Sequence, residues 1–364
     1  MKLLCISRKH PPSVGGMQAM NYEIIRRLAA ASRATVIRWG GSQWFLPLFI
    51  PWALVRSLAL LPRRRRPDAV YLGDALLAPL GLVLKGALRR PVAVSAHGND
   101  IAFRFPLYRT VVGFCLRRLD LVVCVSRYTR GLCIAIGVSP DRCAVVPNGV
   151  DPGAHAASLA DTDAAGRWLA ARGVEPGRPI VLTVARLVAR KGVARFVSEI
   201  LPLVARAHPR VLYLVVGEGK ERRAIEAEIS RAGMGPHVLL AGGHTAGLRR
   251  GFMGLASVFV MPNVPVKGDV EGFGLVALEA GCAGLPLVAS DIEGIRDAIV
   301  QGENGVLVRW DDAGAFAAAV GALLSDEAGR RSAGAAAREF NRSNFGWDAA
   351  AERYLEMIGS RATS

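Results

Sequence analysis

DVEGFGLVALEAGCAGLPLVASD, residues 269–291, decides how the rest of this chain is read. Glycines 272 and 274 alternate with Phe273 and Leu275 where a helix should begin, and 287–289 reads as the apolar strand that follows. Glu271 then falls in the loop before the helix and Glu279 about two turns into it, eight residues on. A helix start presents backbone N–H groups to an anion or a sugar oxygen. Two carboxylates placed this way can accept hydrogen bonds from vicinal hydroxyls. The plainer alternatives are a helix-start charge for Glu271 and a surface side chain for Glu279. Glu279, however, sits among Ala277, Leu278, Ala280 and Cys282, where a carboxylate needs a partner, and a ribose would supply one.

Outward from this stretch the same grammar repeats. Apolar runs at 180–184, 211–216, 238–241, 258–261, 287–289 and 305–308 are separated by helical segments, and an earlier series runs through 2–7, 35–39, 69–72, 92–95 and 121–125. Strands alternating with helices imply parallel βαβ units, so the fold class is α/β with two doubly wound, Rossmann-like domains. The segment VVPNGVDPG, 145–153, reads as a strand running into a turn, which sets the domains at 1–153 and 154–340. A C-terminal helix at about 341–364 closes the chain, and the family resemblance given below implies that it returns to the first domain. Open parallel sheets bind ligands at the carboxyl ends of their strands, so chemistry is expected in the strand-to-helix loops and in a cleft between the domains.

Those loops hold the candidates. Gly15 and Gly16 lie between the first strand and first helix, where backbone can approach a phosphate, or where a plain tight turn would serve. In VARLVARKG, 184–192, Arg186 and Lys191 stand five residues apart at a strand end. They can converge on a diphosphate and stabilise it as a leaving group, or simply belong to a solvated basic loop. In SAHGND, 95–100, His97 and Asp100 follow a strand and would face the cleft. Neither Gly15-Gly16 nor Gly217-Glu218-Gly219 completes G-x-G-x-x-G, which disfavours a dinucleotide-dependent dehydrogenase.

Composition bounds the partners. The 364 residues carry 46 Lys plus Arg against 30 Asp plus Glu, a formal charge of +16, which favours an anionic partner. No interleaved basic and aromatic strand motif points to nucleic acid. Cys5, Cys115, Cys124, Cys133, Cys143 and Cys282 form no C-x-x-C pair and read as reduced, buried thiols of a cytoplasmic protein. The apolar stretch 44–62, interrupted by Pro47, Pro51 and Arg56, reads as a buried or interfacial helix rather than a span. With Arg63–Arg66 behind it, it could dock the first domain on an anionic membrane surface, the alternative being a solvated basic turn.

Taken in order, Pro12–Gly16, His97-Gly98, VSRY at 125–128, VPNGVD at 146–151, the Arg186/Lys191 pair, VVGEG at 215–219 and EGFGL at 271–275 resemble the retaining glycosyltransferases of family four over nearly the whole chain. The resemblance implies a GT-B fold and transfer of a hexose from a nucleotide-diphosphate sugar, with retention of configuration, to a lipid-linked or polysaccharide acceptor. It implies that Gly16, beside Gly15, touches the donor phosphate and that Arg186 and Lys191 hold the diphosphate. Glu271 and the amides of Gly272, Phe273, Gly274 and Leu275 would position the donor sugar, Glu279 the ribose, and His97 the sugar near the reaction centre. No cofactor and no metal are implied. A non-catalytic GT-B scaffold, an epimerase or a phosphorylase is the rival reading. A loop at 242–244, Gly-Gly-His, could sit near the base, and VPVKGDV, 264–270, could shape sugar choice.

Overall fold

The computed structural model describes residues 1–13, 15–62 and 66–363, so the expectation for Arg63–Arg65 lies outside the described residues. Its contacts divide into two compact units. The first comprises Met1–Gly149, Gly268–Phe273 and Trp347–Ser364, the second Val150–Lys267 and Gly274–Gly346.

In the first unit, β1 (Lys2–Ser7), β2 (Arg33–Arg38), β3 (Ala69–Leu72), β4 (Val92–Ala96), β5 (Leu121–Cys124) and β6 (Cys143–Val145) form one parallel sheet in the order β2-β1-β3-β4-β5-β6. The order reverses between β1 and β3, so the loops leaving these two strands diverge at one edge. Side-chain alternation divides the core. Val70, Leu72, Val92 and Val94 face the helices Leu46–Leu58, Ala78–Leu88 and Pro106–Leu116, which supply Phe49, Ala53, Leu84 and Val112. Tyr71 and Ser95 point the other way. There the Ser95 hydroxyl lies 2.8 Å from the Tyr71 hydroxyl and 3.0 Å from that of Tyr354, on the terminal helix Trp347–Thr363. Burial raises the pKa of both tyrosines. The returning helix thus fills the sheet's second face beside the helix Gly16–Ala31, and Arg27 reaches its Asp348. The six cysteines are all free and buried.

The second unit repeats the plan with β7 (Ile180–Val184), β8 (Leu212–Val216), β9 (Val238–Gly242), β10 (Val258–Met261), β11 (Leu287–Ser290) and β12 (Val306–Val308), ordered β12-β11-β10-β7-β8-β9 and again parallel. Val181, Val215, Val260 and Val288 bury against Phe196, Val204, Phe316 and Val320. The order reverses between β7 and β10.

Three boundaries differ from the sequence expectation, each for a backbone reason. The first break falls at 149/150 rather than 153/154, because the Val150 N–H donates to the Phe345 carbonyl at 2.7 Å and bridges Gly346. The return to the first unit begins at Trp347 rather than 341, since the helix Glu327–Asn344 stays with the second unit and Gly149 is tight against Trp347. Residues 268–273, expected in the second domain, belong to the first unit. Their backbone is bonded there: the Val270 N–H donates to Asn99 Oδ1 at 2.7 Å. The apolar stretch 44–62 does form a helix, Leu46–Leu58, and among the described residues no helix is long and apolar enough to cross a membrane.

Gly192 pins the loop after β7. Its φ of 64° is left-handed, and a Cβ there would lie 1.8 Å from the Pro262 carbonyl oxygen. Gly192→Ala is therefore expected to cost roughly 3 kcal/mol and lower the melting temperature by about 6–12 °C. Gly16→Ala, where a Cβ meets nothing within 4 Å, should leave melting nearly unchanged. Equal melting of Gly192→Ala and parent in differential scanning calorimetry would contradict this packing.

Candidate active site

The second unit gathers its charges where the strand order reverses. β7 ends at Val184, and the chain runs past exposed Arg186 to Arg190 and Lys191, both more than nine-tenths buried. The Val264 N–H donates to the Arg190 carbonyl at 2.9 Å, holding this loop to the one that leaves β10. A small cavity opens at the junction, lined by Thr183, Val184, Ala185, Lys191, Met261, Pro262, Asn263 and Val276. Lys191 thus brings its charge to the carboxyl edge of the parallel sheet, and Arg186 stands on the same loop in solvent. Arg190 was not singled out from the sequence, because a basic loop shows no burial pattern of its own.

Val276 lies in the first turn of the helix Leu275–Cys282. That helix starts from Gly274 in a left-handed conformation with no side-chain cap, so its positive end is not covered by a capping oxygen. Glu279 follows on the same helix, half-buried, and its pKa is pushed up to about 7 by burial, with Arg249 partly opposing. Gly274, Leu275, Glu279, Arg186 and Lys191 are therefore all in the second unit.

Glu271, Gly272 and Phe273 are in the first, and there they meet His97. Gly272 comes so close to the histidine backbone that a Cβ would lie 1.9 Å from the His97 carbonyl oxygen. Thr129 Oγ1 donates to the Gly272 carbonyl at 3.5 Å, and Asn99 holds Val270 as described above. Glu271 and Phe273 are buried. The His97 ring donates from Nε2 to the Gly73 carbonyl at 2.8 Å, which leaves Nδ1 as the acceptor in the neutral ring. Its backbone N–H donates to Asp100 Oδ1 at 2.8 Å, while Asp100 Oδ2 accepts from the Ala75 N–H at 3.1 Å. Burial raises the Asp100 pKa, with His97 opposing and Asp74 adding to the rise. Asp74 is itself paired with buried Arg8 at 2.8 Å. Gly15 and Gly16 open the helix after β1 at the same edge of this sheet, without a side-chain cap. Asn99 lay within the SAHGND stretch, and its place next to a glycine after a strand was the signal that could have marked it.

Other motifs make structural contacts. Ser126 of VSRY caps the helix Arg127–Ala135 by accepting from the Thr129 N–H at 3.0 Å. In VVGEG, the Leu187 N–H donates to the Glu218 carbonyl at 2.9 Å, extending strand pairing, and Glu218 pairs with Arg222. His244 stands edge-on to Trp168 and Phe252, with ring centroids 5.0 and 5.6 Å away.

The raised carboxyl of Glu279 carries a pH signature. An acid that titrates near 7 when folded and about 4.3 when unfolded stabilises the fold fully only below the lower value. Its contribution is lost as pH rises through 7. Glu279→Gln should therefore melt like the parent near pH 4 and roughly 2–4 °C higher at pH 8.5. A shift of the same size at both pH values would show that Glu279 does not titrate there.

Comparison with known proteins identifies the family and the fold. A family model described as Glycosyltransferase Family 4 matches residues 14–154, and one described as Glycosyl transferases group 1 matches residues 167–340. A GDP-mannose-dependent alpha-(1-6)-phosphatidylinositol monomannoside mannosyltransferase from Mycolicibacterium smegmatis is 30% identical over 383 residues, covering 99% of this chain and 98% of the relative. Among solved structures, HepE of Anabaena in complex with UDP matches with a TM-score of 0.78 at 19% identity, over 99% of this chain and 100% of that one. Sucrose-phosphate synthase from Thermosynechococcus elongatus matches with a TM-score of 0.78 at 22% identity, over 99% and 98%. The fold is GT-B, and the chain belongs to the family-four glycosyltransferases.

Proposed function

We propose that this glycosyltransferase moves a hexose, with mannose from GDP-mannose the first donor to test, onto a lipid-linked glycan. We further propose that it retains the anomeric configuration, needs no metal, and works on the cytoplasmic side of a membrane. The observation that carries the reading is Lys191, buried and lining the cavity between the ends of β7 and β10 together with Val276 of the first turn of the Leu275–Cys282 helix. A cation and an uncapped helix start both favour a diphosphate, and they favour it more as charge develops on the leaving group. Arg186 adds a planar fork from the same loop. The choice of donor and acceptor follows the M. smegmatis relative, whose name gives GDP-mannose and a phosphatidylinositol mannoside.

In the proposed reaction the bond from sugar C1 to the β-phosphate oxygen breaks, and its electron pair goes to the diphosphate. The acceptor hydroxyl oxygen bonds to C1 on that same face, and its proton passes to the departing phosphate oxygen. Lys191 and Arg186 stabilise the diphosphate, and Glu279 binds the ribose hydroxyls. In the first unit, Glu271 and the Gly272–Phe273 backbone bind the sugar, His97 Nδ1 accepts from a sugar hydroxyl, and the Gly16 amide meets phosphate. The four charged residues this chemistry requires, Arg186, Lys191, Glu271 and Glu279, are all present, and nothing favours a non-catalytic scaffold.

The test is proton NMR of the product made from GDP-α-mannose. Retention gives an α-linked product, EDTA leaves the rate unchanged, Glu271→Ala lowers turnover, and Glu279→Ala mainly weakens nucleotide binding. A β-linked product, or activity abolished by EDTA and restored by a divalent ion, would overturn the mechanism.

A further inference from the structure

The helices Leu46–Leu58, Ala78–Leu88 and Pro106–Leu116 lie side by side on one face of the first sheet, and their outer surfaces are apolar where a water-facing helix should be polar. Leu48, Trp52 and Val55 form an exposed stripe on the first of them. Leu107, Val111 and Phe114 form a stripe of the same spacing on the third. The middle helix turns Val83, Gly86 and Ala87 outward between them. None of the three helices contains a carboxylate.

Charge follows the same face. The described residues of 43–62 and 66–118 hold nine Lys and Arg against three Asp. Asp74 and Asp100 are buried, and Asp68 accepts from the Lys2 N–H. Arg56, Arg104, Arg109 and Arg118 are exposed, and the Arg118 guanidinium lies 3.5 Å over the Phe114 ring. Arg66, expected to join a basic patch, instead donates to the Leu88 carbonyl. The opposite face is mixed in charge: the terminal helix Trp347–Thr363 carries Asp348, Glu352 and Glu356 beside Arg353 and Arg361.

Topology orients this surface. In parallel βαβ units the helices run against the strands and start at the carboxyl edge of the sheet. Trp44, 90% exposed, and Phe45 precede the first helix, while exposed Phe103 and Phe105 precede the third. Both aromatic pairs therefore stand toward the edge that carries His97 and Gly16.

We propose that this three-helix face docks on an anionic lipid bilayer, with the aromatic pairs at the headgroup level and the arginines on lipid phosphates. Apolar stripes, flanking arginines and aromatics at the rim are the features of an interfacial rather than a spanning element. The proposal rests on the reading of a lipid-linked acceptor, because it brings the sheet edge with His97 to the surface where such an acceptor resides.

The test is flotation of the full chain with phosphatidylglycerol–phosphatidylcholine vesicles, run without donor or acceptor. The parent should float with anionic vesicles and much less with pure phosphatidylcholine. Leu48→Glu/Leu107→Glu should weaken flotation by roughly tenfold or more. Trp44→Ala, at a side chain 90% exposed and so outside the core, should weaken it measurably. Parent that stays unbound, variants that float like the parent, or a lipid-free dimer that the double variant dissociates would each overturn the proposal. Transfer to a water-soluble acceptor, assayed separately, reports on the enzymatic reading alone, so the two can fail independently.

Discussion

Lys191 is held at the end of β7 by a backbone that has almost no freedom. Gly192 lies against the Pro262 carbonyl, and the Val264 N–H is bonded to the Arg190 carbonyl. The loops leaving two adjacent parallel strands are thereby locked together at the point where the strand order reverses. A parallel sheet leaves such loops splayed apart at this edge, which is why open α/β sheets bind ligands there. Locking them fixes a buried cation in place, and desolvation makes its charge count for more toward an anion than it would in water. A diphosphate, two negative groups a few ångströms apart, fits a fixed ammonium with a helix start close by.

Burial raises the pKa of two carboxylates in the fold. Glu279 is driven upward by burial on the helix that begins beside the cavity, and Asp100 is driven upward beneath His97. Each is held by the fold at some electrostatic cost, which sites of recognition commonly carry. The cost at Asp100 is offset by two backbone N–H donors, which fix the loop on which His97 stands. The His97 ring is fixed independently by the Gly73 carbonyl, so both its orientation and its tautomer follow from main-chain geometry.

Much of this was legible in the sequence. The apolar runs at 2–7, 69–72, 180–184 and 258–261 correspond to β1, β3, β7 and β10, because fully buried parallel strands are short and uniformly apolar. The Arg186 and Lys191 loop was found by its position after a strand. What the sequence concealed was spatial. Glu271 and Glu279 are neighbours in the chain, yet their backbones belong to different compact units, and only the bonds from Asn99 and Thr129 reveal it. The burial of Arg190 is hidden for a similar reason: its loop is bonded to a segment some seventy positions away, through the Val264 N–H. The outward apolar stripes were half visible. The stretch 44–62 reads as a buried or interfacial helix, but its continuation onto Pro106–Leu116 depends on which helices share a face of the sheet.

The central claim is that the locked cation at the end of β7 grips a diphosphate. Isothermal titration calorimetry of GDP against the parent, Lys191→Ala and Arg186→Ala tests it most directly, with guanosine as the ligand lacking phosphates. The expected result is binding of GDP but not guanosine by the parent, weakened about tenfold or more in Lys191→Ala and less in exposed Arg186→Ala. Unchanged GDP affinity in a folded Lys191→Ala protein would contradict it.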